Sequence, residues 1–293
     1  MAEGVAAEGV AAEGVVAEAG RVMGGRNIRL TLAYDGTDFY GWQVQQSGRT
    51  VQGVLQAALE RMHGHAVRVV GAGRTDSGVH ATGQVANFSS DLDSVPPGRF
   101  REAVNSFLPR DVRVLASAEA DPRFHARRWA RQRVYRYYIC CSQVLLPHRR
   151  NYCSWMKRKP DIRVLNGMAS RLVGEHDFSA FAADGDANES KVRAVAVSSF
   201  HAESDMLVYT IAANAFLWKM VRTIVGTFLE LEEQGAGAAA IAEVLASRDH
   251  GRAGGTAPAR GLFLERVVYD EETLGSPEPA GGLPADGVFP DAP

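Results

Sequence analysis

Apolar positions along this chain recur with two rhythms, alternate residues in some segments and every third or fourth in others, and the switches between them outline the elements. In NIRLTLAYDG, Ile28, Leu30, Leu32 and Tyr34 alternate with the remaining positions, which predicts a strand that the Asp-Gly pair ends as a turn. TVQGVLQAALERMHG instead places Val51, Leu55, Ala58, Leu59 and Met62 on one helical stripe, with Thr50 set to cap its start and Gly64 to end it. AVRVVGA and GQVANFS predict two further strands on either side of a glycine-rich stretch. PPGRFREAVNSFLP predicts a helix led by Pro97, with Phe100, Val104, Phe107 and Leu108 on its buried side, and DVRVLASAEA a return to strand.

The second half of the chain repeats the theme. RVYRYYICC predicts a strand, IRVLNGMASRLVG a helix, VRAVAVSSF and MLVYTIAANAF a hairpin, NAFLWKMVRTIVGTFLELEE a helix, and GLFLERVVYD a closing strand. Hairpins mixed with helices, without strict β-α-β alternation, predict an α+β fold of two related halves, each an antiparallel sheet with helices on one face. The halves are expected over 26–121 and 122–270. The five-residue repeat AAEGV over 1–25 fits neither period and reads as a disordered leader, and the Pro- and Gly-rich 271–293 reads as a disordered tail.

Charge changes the picture because it is unevenly placed. The formal net charge is −2, from 32 bases and 34 acids, but four acids lie in residues 1–20 and six in 270–293, where there are no bases. The remaining 24 acids face all 32 bases, so residues 21–269 carry +8. Such a body favours an anionic partner, nucleic acid above all. No apolar run is long enough for a membrane helix, the N-terminus lacks the basic residues of a signal peptide, and three cysteines do not make a disulfide framework. The chain is therefore expected in the cytoplasm with reduced thiols.

The stretch GAGRTDSGVH, residues 71–80, surrounds one carboxylate with glycine. Gly73 and Gly78 have the spacing of a phosphate-binding P-loop, but Val79 and His80 stand where Lys and Ser/Thr would hold phosphate and magnesium. Gly71 and Gly73 begin like a dinucleotide fingerprint, but a loop and strand follow instead of the helix that fingerprint needs. Ser77 lacks the G-x-S-x-G setting of a hydrolase nucleophile, and the adjacent Cys140 and Cys141 would point to opposite faces of a strand, which disfavours a zinc site shared with His148 and Cys153. What remains is Asp76 on a tight loop between strands, either as a turn-forming side chain or as a working carboxylate.

The context bears on that choice. DPRFHARRWARQRVYRYY interleaves Arg123, Arg127, Arg128, Arg131, Arg133 and Arg136 with Phe124, Trp129, Tyr135, Tyr137 and Tyr138, the residue types that bind RNA phosphates and stack on unpaired bases. Within the strand, Tyr135 and Tyr137 share one face and Arg136 and Tyr138 the other, so part of the set belongs to core and part to solvent. HRRNYCSWMKRK adds a second basic cluster. Arg222 lies among Met220, Val221, Ile224 and Val225, where a charge needs a partner such as Asp76 or an escape to solvent along its stem.

Taken in order, GRTDSGVHATGQVANF, FHAR, RVYRYY, NAFLWKMVRTIVG and APARGLFL closely resemble the TruA family of tRNA pseudouridine synthases, from about Ile28 to Tyr269. The resemblance implies two halves joined through a continuous sheet with a central basic cleft, a homodimer, and conversion of uridine to pseudouridine at positions 38 to 40 of the tRNA anticodon stem-loop. It assigns Asp76 as the catalytic aspartate and Arg222 as its ion-pair partner, which favours the charged carboxylate. It assigns Arg74 to holding the everted target nucleotide, and Tyr135 to stacking on uracil and assisting loss of the C5 proton. It implies no cofactor, metal or membrane partner. Ser77 stands where relatives usually carry alanine. The competing reading is a non-catalytic RNA-binding protein of the same fold.

Overall fold

Strand β1 (Arg26–Tyr34) forms where the alternation demands it, and Ile28, Leu30, Leu32 and Tyr34 are all buried. The computed structural model describes residues 25–270, so the expected leader (1–25) lies outside the described residues except for Gly25, as does the whole expected tail (271–293). After β1 come α1 (Val51–His63), β2 (Val70–Gly71), β3 (His80–Ser90), α2 (Phe100–Asn105), β4 (Val112–Glu119), β5 (Gln132–Cys141) and β6 (Ser154–Met156). There follow α3 (Ile162–Ala169), β7 (Gly174–Asp177), β8 (Val192–Glu203), β9 (Met206–Ala213), α4 (Met220–Glu233), α5 (Ala238–Ser247) and β10 (Leu262–Val268).

The strands make one open sheet in the order β4-β1-β3-β10-β5-β9-β8-β7, with β2 paired to β3 and β6 to β5. The fold is α+β, and nearly all strand pairs are antiparallel. Two are parallel, β5 with β6 and β3 with β10. The second of these joins β3 to the last strand through only two residue pairs, His80 with Phe263 and Ala81 with Leu264.

Helices cover the sheet through aromatic contacts. His63 at the end of α1 meets Phe88 of β3 edge-on, with ring centroids 5.8 Å apart. Phe228 of α4 packs edge-on against both Phe200 of β8 and Tyr209 of β9, at 5.6 and 5.5 Å. The caps of α1 are those read from sequence: the Thr50 side chain accepts from the Gly53 amide, and Gly64 closes the helix with φ +77°.

The structure differs from the expected elements where side chains take over backbone groups. AVRVVGA contributes only Val70 and Gly71 to the sheet, because Val69 gives its amide to Gln56 Oε1 of α1 and accepts Gln52 Nε2 at its carbonyl. Helix α4 begins at Met220, six residues later than the pattern suggests. Asp186 takes the Trp218 amide at 2.7 Å, and Lys219 turns left-handed at φ +59° before α4 can start. Strand β3 begins at His80 instead of Gly83, drawn out by its pairing with β10. Helix α5 and the short β6 and β7 were not foreseen; α5 opens on three alanines that give little apolar contrast.

Gly83 marks how tightly β3 and β10 approach. A Cβ there would lie 2.1 Å from the Glu265 carbonyl oxygen, at the irregularity in β10 between Leu264 and Arg266. Gly83→Ala is expected to push the strands apart and lower the unfolding free energy by about 1–3 kcal/mol, read from urea titration. An unchanged midpoint would show that the seam has slack.

Candidate active site

The loop between β2 and β3 carries Asp76, and the segment 36–42 braces it from outside. The Trp42 amide donates to the Thr75 carbonyl at 3.0 Å, while the Gly78 amide and the Ser77 hydroxyl both donate to the Phe39 carbonyl at 3.2 Å. This brace lies too close to the loop for side chains at two places: a Cβ on Gly36 would sit 2.0 Å from the Val79 carbonyl, and one on Gly41 2.5 Å from that of Thr75. Gly78 itself has φ +75°, which glycine adopts without strain. From inside the sheet, Gln84 binds both polar groups of Gly73, donating to its carbonyl at 2.8 Å and accepting its amide at 3.3 Å. Thr75 shares a 2.8 Å hydrogen bond with the buried Tyr34 hydroxyl.

Arg222 reaches this loop from the first turn of α4. Its Nη1 lies 3.1 Å from Asp76 Oδ2, and the two side chains are only 15% and 21% exposed. The same guanidinium donates through Nε to the Ala257 carbonyl at 2.8 Å, and the Ala257 amide returns a bond to the Arg222 carbonyl. The charge placed among apolar residues in sequence thus meets a carboxylate 146 positions away. Arg222 engages the carboxylate through Oδ2.

Tyr135 is buried in β5, its ring edge-on to Phe216 at 5.0 Å, and its hydroxyl points at Gly73, 3.8 Å from where a Cβ would stand. Burial, with Tyr34 and Asp76 nearby, raises its pKa well above the usual phenol value despite Arg133, so the hydroxyl stays protonated. Arg74 is exposed on the loop, two residues before Asp76.

The arginine stretch divides sharply. Arg123 pairs with Asp121, Arg131 with Asp270 and Arg136 with Glu265, at 3.2, 2.7 and 2.9 Å. Arg133 is buried, and its guanidinium donates to four carbonyls, those of Ala72, Arg127, Ala130 and Asn214, at 2.7 to 3.0 Å. It is an internal tie and not part of an RNA-facing surface. Arg133 shares strand parity with Tyr135 and Tyr137, and all three are buried. Arg127 and Arg128 stay exposed. In the second basic cluster, Arg149 is paired with Asp205 and Arg158 with Glu232. Also missed from sequence were Gln84 and Tyr34 as loop supports, whose roles exist only once the loop folds over them.

His80 anchors the far end of the loop. Its Nδ1 accepts the Gly36 amide at 3.0 Å, its Nε2 donates to the Asn151 carbonyl at 2.9 Å, and its ring stacks on Phe263 at 4.5 Å. Asp35 lies 3.2 Å from Nδ1 and accepts the Tyr152 hydroxyl. An open cavity of about 310 Å³ borders this corner, lined by Thr37, Gly78, Asn151, Pro258, Ala259 and Arg260.

The loop thus holds a braced carboxylate against a guanidinium, with a buried tyrosine and exposed arginines on the segments around it. The sequence profile of the family described as "tRNA pseudouridine synthase" matches residues 31–127 and 168–270. The chain is 48% identical to tRNA pseudouridine synthase A of Treponema denticola over 257 residues, covering 86% of this chain and 96% of the relative. It is 40% identical to the protein of the same name from Brachyspira hyodysenteriae, with coverage of 84% and 99%, and 42% identical to that from Acetivibrio thermocellus, with coverage of 83% and 100%. The chain belongs to the tRNA pseudouridine synthase family.

Burial lowers the His80 pKa against the opposing pull of Asp35. A histidine depressed in the folded state stabilises the protein above its unfolded value, about 6.5, and that contribution is lost as pH falls through the folded value. Urea midpoints of the wild type should therefore fall between about pH 7.5 and 5.5 by more than those of His80→Gln. Equal falls would remove His80 from the acid response.

Proposed function

We propose that this chain isomerises uridine to pseudouridine at positions 38 to 40 of the tRNA anticodon stem-loop, with Asp76 as the catalytic carboxylate. The observation that carries the reading is the Asp76–Arg222 pair on a braced glycine-rich loop, in a chain of this family. The N1 to C1′ bond breaks, the uracil turns within the site, and C5 bonds to C1′; the proton lost from C5 is balanced by one gained at N1. Atoms and electrons are conserved, and neither water nor a phosphoryl group is consumed, so the chemistry calls for no cofactor.

Asp76 acts through its carboxylate, either by attack on C1′ or by removal of the C2′ proton, and both routes need the ionised form. Arg222 offsets the desolvation of that charge and fixes its direction. Arg74 holds the everted nucleotide, since a stacked base hides C1′ and C5. Tyr135 forms a wall against the uracil. A phenol kept protonated is a weak base, so stacking is its main part in the reaction. The protein works in the cytoplasm as a homodimer, by the same resemblance.

Two measurements test this reading. Asp76→Asn should bind tRNA but release no tritium from tRNA labelled at uridine C5, while the wild type releases it. Equal release would overturn the assignment of Asp76, and wild-type binding without release would favour the non-catalytic reading. Sedimentation equilibrium should give the mass of two chains, and a single-chain mass at micromolar concentration would overturn the dimer.

A further inference from the structure

Arg127 and Arg74 come from separate segments and are tied to one internal post. Nη2 of the buried Arg133 donates both to the Ala72 carbonyl at 2.9 Å and to the Arg127 carbonyl at 2.7 Å. Ala72 lies two residues before Arg74, on the loop that Gln84 holds at Gly73. The Arg127 amide is fixed as well, donating to Nδ1 of His125 at 3.3 Å. The backbones from which both side chains emerge are therefore anchored, while the side chains themselves stay exposed.

This arrangement sets positive charges against one another. Surrounding protein, then the charge of Arg74 and then that of Arg133, all disfavour the charged form of Arg127 and lower its pKa. Arg133 is spent on four carbonyls, and among the described residues no carboxylate forms an ion pair with Arg74 or Arg127. The neighbouring arginines Arg123 and Arg131 each have one. Two unneutralised guanidiniums on fixed backbones match the two non-bridging oxygens of a phosphodiester, which accepts forked donors and carries the compensating charge.

We propose that Arg127 joins Arg74 in a two-guanidinium clamp on one RNA phosphodiester flanking the target uridine, which sets the strand so that the ribose faces Asp76. The inference rests on the reading that this chain modifies uridine in tRNA. Arg74 is two residues from Asp76, so a phosphate it grips lies within about one nucleotide of the reacting sugar. Arg128, beside it, has its amide on the same His125 nitrogen but no tie to the Arg133 post, and is left outside the clamp.

The test uses the full chain and anticodon stem-loop RNAs that carry a single neutral methylphosphonate at successive linkages around the target. For the wild type, one linkage next to the target should weaken binding by about 10-fold or more. Arg127→Gln should bind unmodified RNA correspondingly weakly and pay no further penalty at that linkage. It should also lower the slope of log affinity against log salt by roughly 0.7 to 0.9. Arg127→Lys, which keeps the charge and loses the fork, should keep the salt slope and lose part of the affinity, so it decides the matter if the glutamine variant misfolds. The losses from Arg74→Gln and Arg127→Gln should combine to less than their product, as for two groups on one phosphate. An unchanged interference pattern in Arg127→Gln, or fully multiplicative losses, would overturn the clamp. With tritium release intact in the wild type, that result leaves the pseudouridine reading standing; absence of wild-type release removes the reading itself.

Discussion

Two residue pairs of parallel strand, His80 with Phe263 and Ala81 with Leu264, hold the site together. Through them the strand that follows the Asp76 loop is fixed beside the strand that follows the Ala257 segment, and Ala257 in turn fixes the Arg222 guanidinium. A parallel pair this short contributes little through its own hydrogen bonds. It persists because β10 is also paired along its length to β5, and because glycine at 83 lets the backbones close to contact. Arg133 reinforces the junction from below, drawing carbonyls from the Asp76 loop, the arginine stretch and the end of β9 onto one buried cation.

The carboxylate is held still from three directions. The brace at 36–42 binds the outer backbone of the loop, Gln84 binds Gly73 from the sheet, and Arg222 binds Oδ2 across the seam. Orientation of this kind is costly to arrange during reaction and is more effective when it exists beforehand. It also explains the concentration of glycine around Asp76: Gly36 and Gly41 let two backbones touch, and Gly78 supplies a left-handed turn. Ser77 fits this scheme, since its hydroxyl adds a bond to the Phe39 carbonyl.

Charge follows the same economy. The basic excess of the body does not spread as a uniform field, because many arginines are matched locally by acids or, like Arg133, saturated with carbonyls. Among the described residues Arg74 and Arg127 form no ion pair with an acid, and both side chains are exposed.

The longer strands and most helices were legible because side-chain direction is fixed locally: a residue in a strand points to one face and its neighbour to the other, so burial is written into the order of residues. Asp76 on a glycine-rich turn, and Arg222 as a charge in need of a partner, were legible for the same local reason. The fate of each remaining arginine was not. Arg133 and Arg136 differ by three positions in one strand, yet one is a buried tie and the other an ion pair with Glu265, and Arg127 is exposed and has no ion-pair partner among the described residues. Which partner neutralises a charge depends on segments far away in sequence that folding brings alongside, and spacing along the chain carries no record of that meeting. Sequence alone determined the elements and the chemistry of the loop; the tertiary structure decided which charges are used up inside the protein and which are left for a substrate.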